Sequence, residues 1–320
     1  MISELVEKLL NQDKRALARL LTLLETEPEN LSDIMSAVRP HSTGSYCVGL
    51  TGPPGAGKST MVNSLIEVLR SEDMEVGVLA VDPSSPFTGG SVLGDRIRMQ
   101  KHYLDDDVFI RSLATRGAQG GLSVFLSAAI AVMDAFGFKY VIVETVGVGQ
   151  TELDVMRVAD TVIVLTVPEA GDTIQSIKAG LMEVADIFVV NKMDRDGSSR
   201  MAATIKSSIN MGEKDRDWKT PVLLTQADKG LGVEGVFKSV LEHRRMLEET
   251  HKLDQARRER RTDEFRNALM NMIRTQTDLM VRDNAKLASL VKLVEDGAVD
   301  PYTAAQNAIK QINIFDTSPD

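Results

Sequence analysis

Gly52-Pro53-Pro54-Gly55-Ala56-Gly57-Lys58-Ser59 follows the apolar run Tyr46–Leu50 and precedes the helical pattern Met61–Leu69. Strand, glycine-rich loop, helix is the context that turns a G-x-x-x-x-G-K-[ST] match into a phosphate-binding P-loop. Glycines let successive backbone N–H groups turn inward around phosphate oxygens. The helix starting near Lys58 adds its positive N-terminal end. The reading assigns Gly52, Pro54, Gly55, Ala56, Gly57, Lys58, Ser59 and Thr60 to a nucleotide's phosphates. Lys58 reaches the β/γ-phosphates, and Ser59 binds Mg²⁺.

Outward from this loop the chain reads as α/β. Apolar runs fall at Tyr46–Thr51, Val76–Val81, Val108–Arg111, Tyr140–Glu144, Thr161–Thr166, Ile187–Asn191 and Val222–Thr225, with helical patterns between most of them. Such alternation predicts a mainly parallel, doubly wound sheet with helices on both faces, the P-loop NTPase arrangement. Ligands of such sheets bind beyond the carboxyl ends of the strands. Asp82, Glu144 and Asn191 stand at such ends. Residues 2–25 carry leucines at helical spacing and end before Pro28; Leu31–Val38 is a second short helix. These predict a helical extension over 1–42, a P-loop domain over 43–245 and a helical region over 246–320. In the last, Asp254–Arg282 places Phe265, Leu269, Met272, Gln276 and Leu279 along one seam. Leu287–Val294 and a helix opened by Asp300-Pro301 follow. The tract Arg257–Arg261 is expected to be a solvated face balanced by Asp254, Glu259, Asp263 and Glu264.

Composition narrows the function. The 320 residues carry 37 basic and 46 acidic side chains, a net charge of −9, which argues against nucleic acid as a partner. Cys47, the only cysteine, excludes disulfides and reads as a small buried residue of the first strand. No 18-residue apolar run is present, so no membrane span is expected, and a cytoplasmic protein is the expectation.

Three carboxylates suit a magnesium nucleotide. Glu144 ends an apolar strand at the Walker B position and opens Glu144-Thr145-Val146-Gly147, the carboxylate-x-x-Gly spacing of a nucleotide switch. There Gly147 N–H would sense a γ-phosphate. Asp82 ends Val76–Val81, beside the P-loop strand if the topology is regular, or is simply a turn residue before Pro83. Asp95 lies in the glycine-rich stretch 88–95, where a helix N-cap is the alternative. Asn191-Lys192-Met193-Asp194 is the N-K-x-D pattern of guanine readers. Asp194 accepts guanine N1–H and N2–H₂, and a buried carboxylate left unpaired would penalise adenine. Asn191 ties loops together, the Lys192 stem covers the base, and the Ala227 N–H is offered to guanine O6. Val148 stands where small GTPases commonly carry a water-positioning glutamine; the first glutamine is Gln150. Slow intrinsic hydrolysis follows. Asp172, Gln175 and Lys178 lie in a stretch that reads as a capping box or as a further switch.

With these residues in hand, the chain resembles the MeaB/ArgK family, in the SIMIBI class of P-loop GTPases. The match runs through GPPGAGKST at 52–60, AVDPSSPFTGGSVLGDRIRM at 80–99, FIRSLATRGAQGGLS at 109–123, ETVGVGQ at 144–150, VPEAGD at 167–172 and NKMD at 191–194. The resemblance implies a GTP-hydrolysing chaperone of an adenosylcobalamin-dependent acyl-CoA mutase, chiefly methylmalonyl-CoA mutase, gating cofactor loading and protecting or reactivating the mutase. It implies GTP/GDP and Mg²⁺ as ligands. It makes Asp82, Asp95 and Glu144 metal-centred or switch carboxylates, and Asp172, Gln175 and Lys178 a third switch. It implies a homodimer through the helical tail. Thr225-Gln226-Ala227 departs from the more usual Ser-Ala pair. A kinase linked to lysine, arginine and ornithine transport is the alternative. It needs a second-substrate site, and the sequence offers none. No histidine stands in an obvious cobalt-ligand setting, so cobalamin itself is not an expected ligand.

Overall fold

The computed structural model describes residues 2–82, 100–102, 104–114, 122–145, 157–168, 184–212 and 217–312. Among the described residues seven strands form one sheet: β1 (Tyr46–Thr51), β2 (Val76–Asp82), β3 (Val108–Ala114), β4 (Tyr140–Thr145), β5 (Thr161–Thr166), β6 (Ile187–Val190) and β7 (Val222–Leu224). Their order is β3-β2-β4-β1-β5-β6-β7, and every pairing is parallel. Parallel strands need crossover helices, which cover both faces, so the strands read as continuous apolar runs. Burial follows this: β1, β4, β5 and β6 are buried at every position.

Alternate side chains feed opposite faces. Cys47, Leu79, Val141 and Val143 pack on one side with α1 (Ile2–Leu10), α2 (Lys14–Thr26), α3 (Leu31–Val38) and α5 (Leu122–Phe136). Farther along, Val162, Val164, Phe188 and Val190 meet α6 (Ser198–Gly212). The opposite face, with Tyr46, Val48, Leu50, Ile163 and Leu165, is covered by α4 (Lys58–Ser71) and α7 (Val233–Glu249). The N-terminal helices thus share the main core. Leu17, Leu20, Leu21 and Leu23 are fully buried there, each contributing roughly 2 kcal/mol of transfer free energy. Among the described residues no helix is long and apolar enough to cross a membrane.

Two expectations are corrected here. The helical pattern of residues 2–25 is two helices. Gln12 takes a left-handed φ of 64°, and the Asp13 carboxylate caps α2 by accepting Arg15 N–H and Ala16 N–H. The Gln12 amide in turn donates to Phe136 O, so a tertiary bond holds the break. Nor does β2 lie beside β1: β4 sits between them, bonded to both. Asp82 therefore ends two strands away from the P-loop strand, about 10 Å across the sheet. The crossover from β1 to β2 skips a place that β4 later fills.

The chain divides into compact units at Met1–Thr262 and Asp263–Asp320. The division falls inside α8 (Lys252–Asp283). In the first unit α8 carries Arg257 and Arg260, and both refute the solvated-face expectation. Arg257 Nη2 donates to Asp160 Oδ2 at 2.6 Å and to Ser45 O at 2.7 Å. Arg260 pairs with the same carboxylate and donates to Val158 O at 2.6 Å and Ala159 O at 3.0 Å. Cys47 N–H completes the shell of Asp160 at 3.0 Å. Only Arg258, Glu259 and Arg261 of that tract are exposed. The second unit contains the rest of α8, α9 (Ala285–Glu295) and α10 (Pro301–Ile312). Asn284 caps α9, and Asp300 caps α10.

A second buried group lies beneath β5. The His243 imidazole Nδ1 meets Thr161 Oγ1 at 2.9 Å, and Thr161 Oγ1 meets the Tyr46 hydroxyl at 2.6 Å. Asp186 Oδ1 is 3.4 Å from Nε2. A neutral ring satisfies this chain, donating from Nε2 and accepting at Nδ1. Burial pushes His243 down to about 4, against the pull of Asp160. For Asp160 burial acts upward, but Arg257 and Arg260 prevail and hold the carboxyl below the usual range.

His243, lowered from an ordinary 6.5, contributes fully above pH 6.5 and loses that contribution as pH falls toward 4. Asp160 contributes fully above the ordinary carboxylate range and loses it as pH drops through its lowered folded value. His243→Gln should remove up to about 3 kcal/mol of the fall in urea-unfolding free energy between pH 6.5 and 4. Asp160→Asn should cost about 3 kcal/mol at neutral pH and flatten the limb below pH 4. Wild-type slopes in both variants would contradict these assignments.

Candidate nucleotide site

Because every described strand is parallel, the carboxyl ends share one edge of the sheet, where the loops after β1, β6 and β7 meet. The P-loop bridges β1 and α4, whose first residue is Lys58 and whose cap is Gly57. Two glycines leave room for close neighbours here. Gly52 has φ +143°, and a Cβ on it would lie 2.1 Å from Leu165 O of β5. Gly57 has φ +89°, and a Cβ there would lie 2.5 Å from Asn191 Nδ2. The loop packs this tightly against its neighbours, and within it Ala56 N–H donates to Pro53 O at 3.2 Å. Lys58 Nζ spans it, donating to Gly52 O at 2.6 Å and Pro53 O at 3.1 Å.

β1 and β4 are neighbours, with Leu50 opposite Glu144, which brings Glu144 to the start of α4. Ser59 Oγ donates to Glu144 Oε1 at 2.6 Å, with both residues buried. A hydroxyl and a carboxylate oxygen in contact are the hard-oxygen pair that Mg²⁺ takes alongside phosphates, so the residues fit such an ion. Sequence reasoning placed these two at separate elements, and the fold joins them.

In the loop after β6, Asn191 ties neighbouring loops together as expected. Asn191, 3% exposed, donates from Nδ2 to Ala56 O of the P-loop at 2.9 Å. Its Oδ1 accepts from Thr225 Oγ1 and from Ala227 N–H, each at 3.1 Å. One amide therefore latches the phosphate loop to the loop after β7. Lys192, at φ 57°, lays its stem along the P-loop and donates to Gly55 O at 2.8 Å. Two expectations need adjustment. Asp194 is exposed, so only a bound base would bury its carboxylate. The Ala227 N–H already points at Asn191 Oδ1, so a guanine O6 would share this donor. The sequence missed Ser64, whose Oγ donates to Ala227 O at 2.7 Å from the buried face of α4. Its one signal is a serine among Met61, Leu65 and Ile66. The Thr225 hydroxyl was also missed as the Asn191 partner.

Asp95, Gly147, Val148, Gln150, Asp172, Gln175 and Lys178 lie outside the described residues, as does the Asp82 side chain.

Comparison with known proteins bears on this geometry. The family model described as methylmalonyl Co-A mutase-associated GTPase MeaB matches residues 17–280. A protein of Pyrococcus abyssi named as a GTPase is 44% identical over 315 residues, 98% of this chain and 97% of its own length. The methylmalonic aciduria type A homolog, mitochondrial, of Mus musculus is 30% identical, covering 93% of this chain and 72% of the mouse protein. A crystal structure named as a LAO/AO transport system kinase superposes with a TM-score of 0.71 at 26% identity, over 98% of this chain and 97% of that one.

Gly57→Ala should displace the Asn191 amide and cut GDP affinity about tenfold or more, read by titration with a fluorescent GDP. Wild-type affinity in this variant would contradict the packing of Gly57 on Asn191.

Proposed function

The chain belongs to the family of methylmalonyl-CoA mutase-associated GTPases, MeaB, and from that premise we propose that its GTP hydrolysis serves an adenosylcobalamin-dependent acyl-CoA mutase, with methylmalonyl-CoA mutase as the client. In this reading it gates cofactor loading and protects or reactivates the mutase. The family match and the mouse relative support the client. The Asn191 latch supports the nucleotide, because it sets an N-K-x-D loop beside a P-loop at one sheet edge.

The chemistry assigned to the site is attack of water on the γ-phosphorus, with GDP and inorganic phosphate as products. The P-loop N–H groups and the N-terminus of α4 hold the phosphate oxygens. Lys58 turns from its loop carbonyls toward the β/γ-phosphates and offsets charge as it develops. Ser59 and Glu144 would hold Mg²⁺, which would supply positive charge against the nucleotide's phosphates; Asp82 and Asp95 belong to the same proposed set. Asp194 reads guanine N1–H and N2–H₂. Gly147 is assigned to the γ-phosphate, and Val148 leaves the water without a glutamine. Asp172, Gln175 and Lys178 are assigned to a client-responsive switch.

A homodimer belongs to the same proposal. Phe265, Leu269, Met272 and Leu279 repeat at heptad spacing on α8 and are exposed in the single chain, at 65%, 44%, 62% and 39%. A second copy is the partner that such a seam fits. A cytoplasmic setting completes the reading.

GTP turnover by the isolated protein should be slow and rise by roughly tenfold or more when methylmalonyl-CoA mutase is added. An unchanged rate with every acyl-CoA mutase would sink the chaperone reading. Phosphate appearing on a protein or small-molecule acceptor instead of as inorganic phosphate would favour a kinase. Asp194→Asn should erode the preference for GTP over XTP by about 100-fold. Equal discrimination in that variant would remove Asp194 from base recognition.

A further inference from the structure

We propose that Ser64 is a positioning residue for base selectivity: it sets the orientation of the Asp228 main-chain N–H, which receives guanine O6 together with the Ala227 N–H that Asn191 holds. The inference rests on the guanine reading above and deepens it. Ser64 lies within α4, the helix whose N-terminus faces the phosphates, and is 7% exposed. Its Oγ reaches out of the helix to Ala227 O at 2.7 Å. Ala227, 2% exposed, opens a 3₁₀ turn at the end of β7.

Ala227 is thereby gripped at both ends. Its N–H is held by Asn191 Oδ1 at 3.1 Å, and its carbonyl by Ser64 Oγ. A trans peptide is planar, so fixing the Ala227 carbonyl also fixes the Asp228 N–H, which points to the opposite side from Ser64. Asp228 N–H is a first-turn donor, which the turn itself leaves without an internal partner. The remainder of the loop is closed independently: Gln226 N–H donates to Leu231 O at 2.9 Å, and Leu231 N–H returns to Gln226 O at 3.2 Å. Loop closure therefore does not need Ser64. What Ser64 adds is the angle of the Ala227–Asp228 peptide relative to α4, and so relative to phosphates seated on that helix. A base is anchored by its phosphates, and an O6 receptor is useful only when set against that anchor.

This role separates O6 recognition from recognition of the rest of the base. GDP and IDP both present O6. The 2,6-diaminopurine riboside diphosphate presents an amino group in its place and an unprotonated N1, so it offers Asp194 only its 2-amino group. Asp194 reads N2–H₂, which IDP lacks. The test is competition of these three nucleotides against a fluorescent GDP, on the full chain, for wild type and Ser64→Ala. Removing one partner of a buried hydrogen bond should weaken GDP and IDP alike by about tenfold. The diaminopurine nucleotide should bind as before, and the GDP-to-IDP ratio should stay unchanged. Equal weakening of all three nucleotides would show a general packing role and overturn the inference. So would an unchanged GDP affinity. A wild-type protein that does not prefer GDP over the diaminopurine nucleotide would instead defeat the guanine reading itself, and this inference with it.

Discussion

A single buried carboxamide holds the site together. Asn191 donates to the phosphate loop and accepts from the loop after β7, so two segments more than 160 residues apart in the chain cannot drift independently. Each bond contributes on the order of 1 kcal/mol net, but the stake is larger. At a residue 3% exposed, losing a partner strands a polar group away from water, which costs about 1–3 kcal/mol. Lys192 across Gly55 O, and Ser64 against Ala227 O, tighten the same joint. The glycine at position 57 leaves the space in which the amide sits. The P-loop and the N-K-x-D loop are thus joined by hydrogen bonds within the chain itself, and a ligand that used both would lose less entropy on binding.

The sheet supplies this object by its polarity. Its carboxyl edge carries the ligand loops. Its amino edge carries a different chemistry: Asp160 before β5 clasps Arg257 and Arg260, and Asp186 before β6 meets His243. These buried groups fix α7 and the start of α8 to the strands at the edge opposite the P-loop. Buried ion pairs contribute little net stability relative to apolar packing, but breaking one is expensive. The clasp therefore specifies where α8 leaves the sheet more than it strengthens the fold.

Much of this was legible in the sequence. The seven strands are apolar runs because a parallel sheet is covered on both faces, and each run maps onto an observed strand. The P-loop and N-K-x-D patterns were legible because tight turns and base recognition demand particular residue types at fixed spacing. Relations between distant segments were not. A strand's residues encode its two-residue period but not its neighbour, so β4 between β1 and β2 was invisible, and Asp82 was set too near the P-loop. Arg257 and Arg260 were misread because charge patterning sees the acids along the helix, while the true partner, Asp160, lies about a hundred residues earlier in a turn. The break at Gln12 depends on Phe136 O in another helix. Ser64 looked like any helical serine. In each case the deciding contact is tertiary.

Through Asn191 the P-loop and the loop that carries Asp194 should recognise a nucleotide as one unit. A double-mutant cycle on GDP affinity tests it most directly, with Asn191→Ala and Asp194→Asn made singly and together. If Asn191 places the loop that carries Asp194, the second substitution should cost far less once the first is present, leaving a coupling of about 1 kcal/mol or more. Strictly additive losses would show two independent loops and contradict the account.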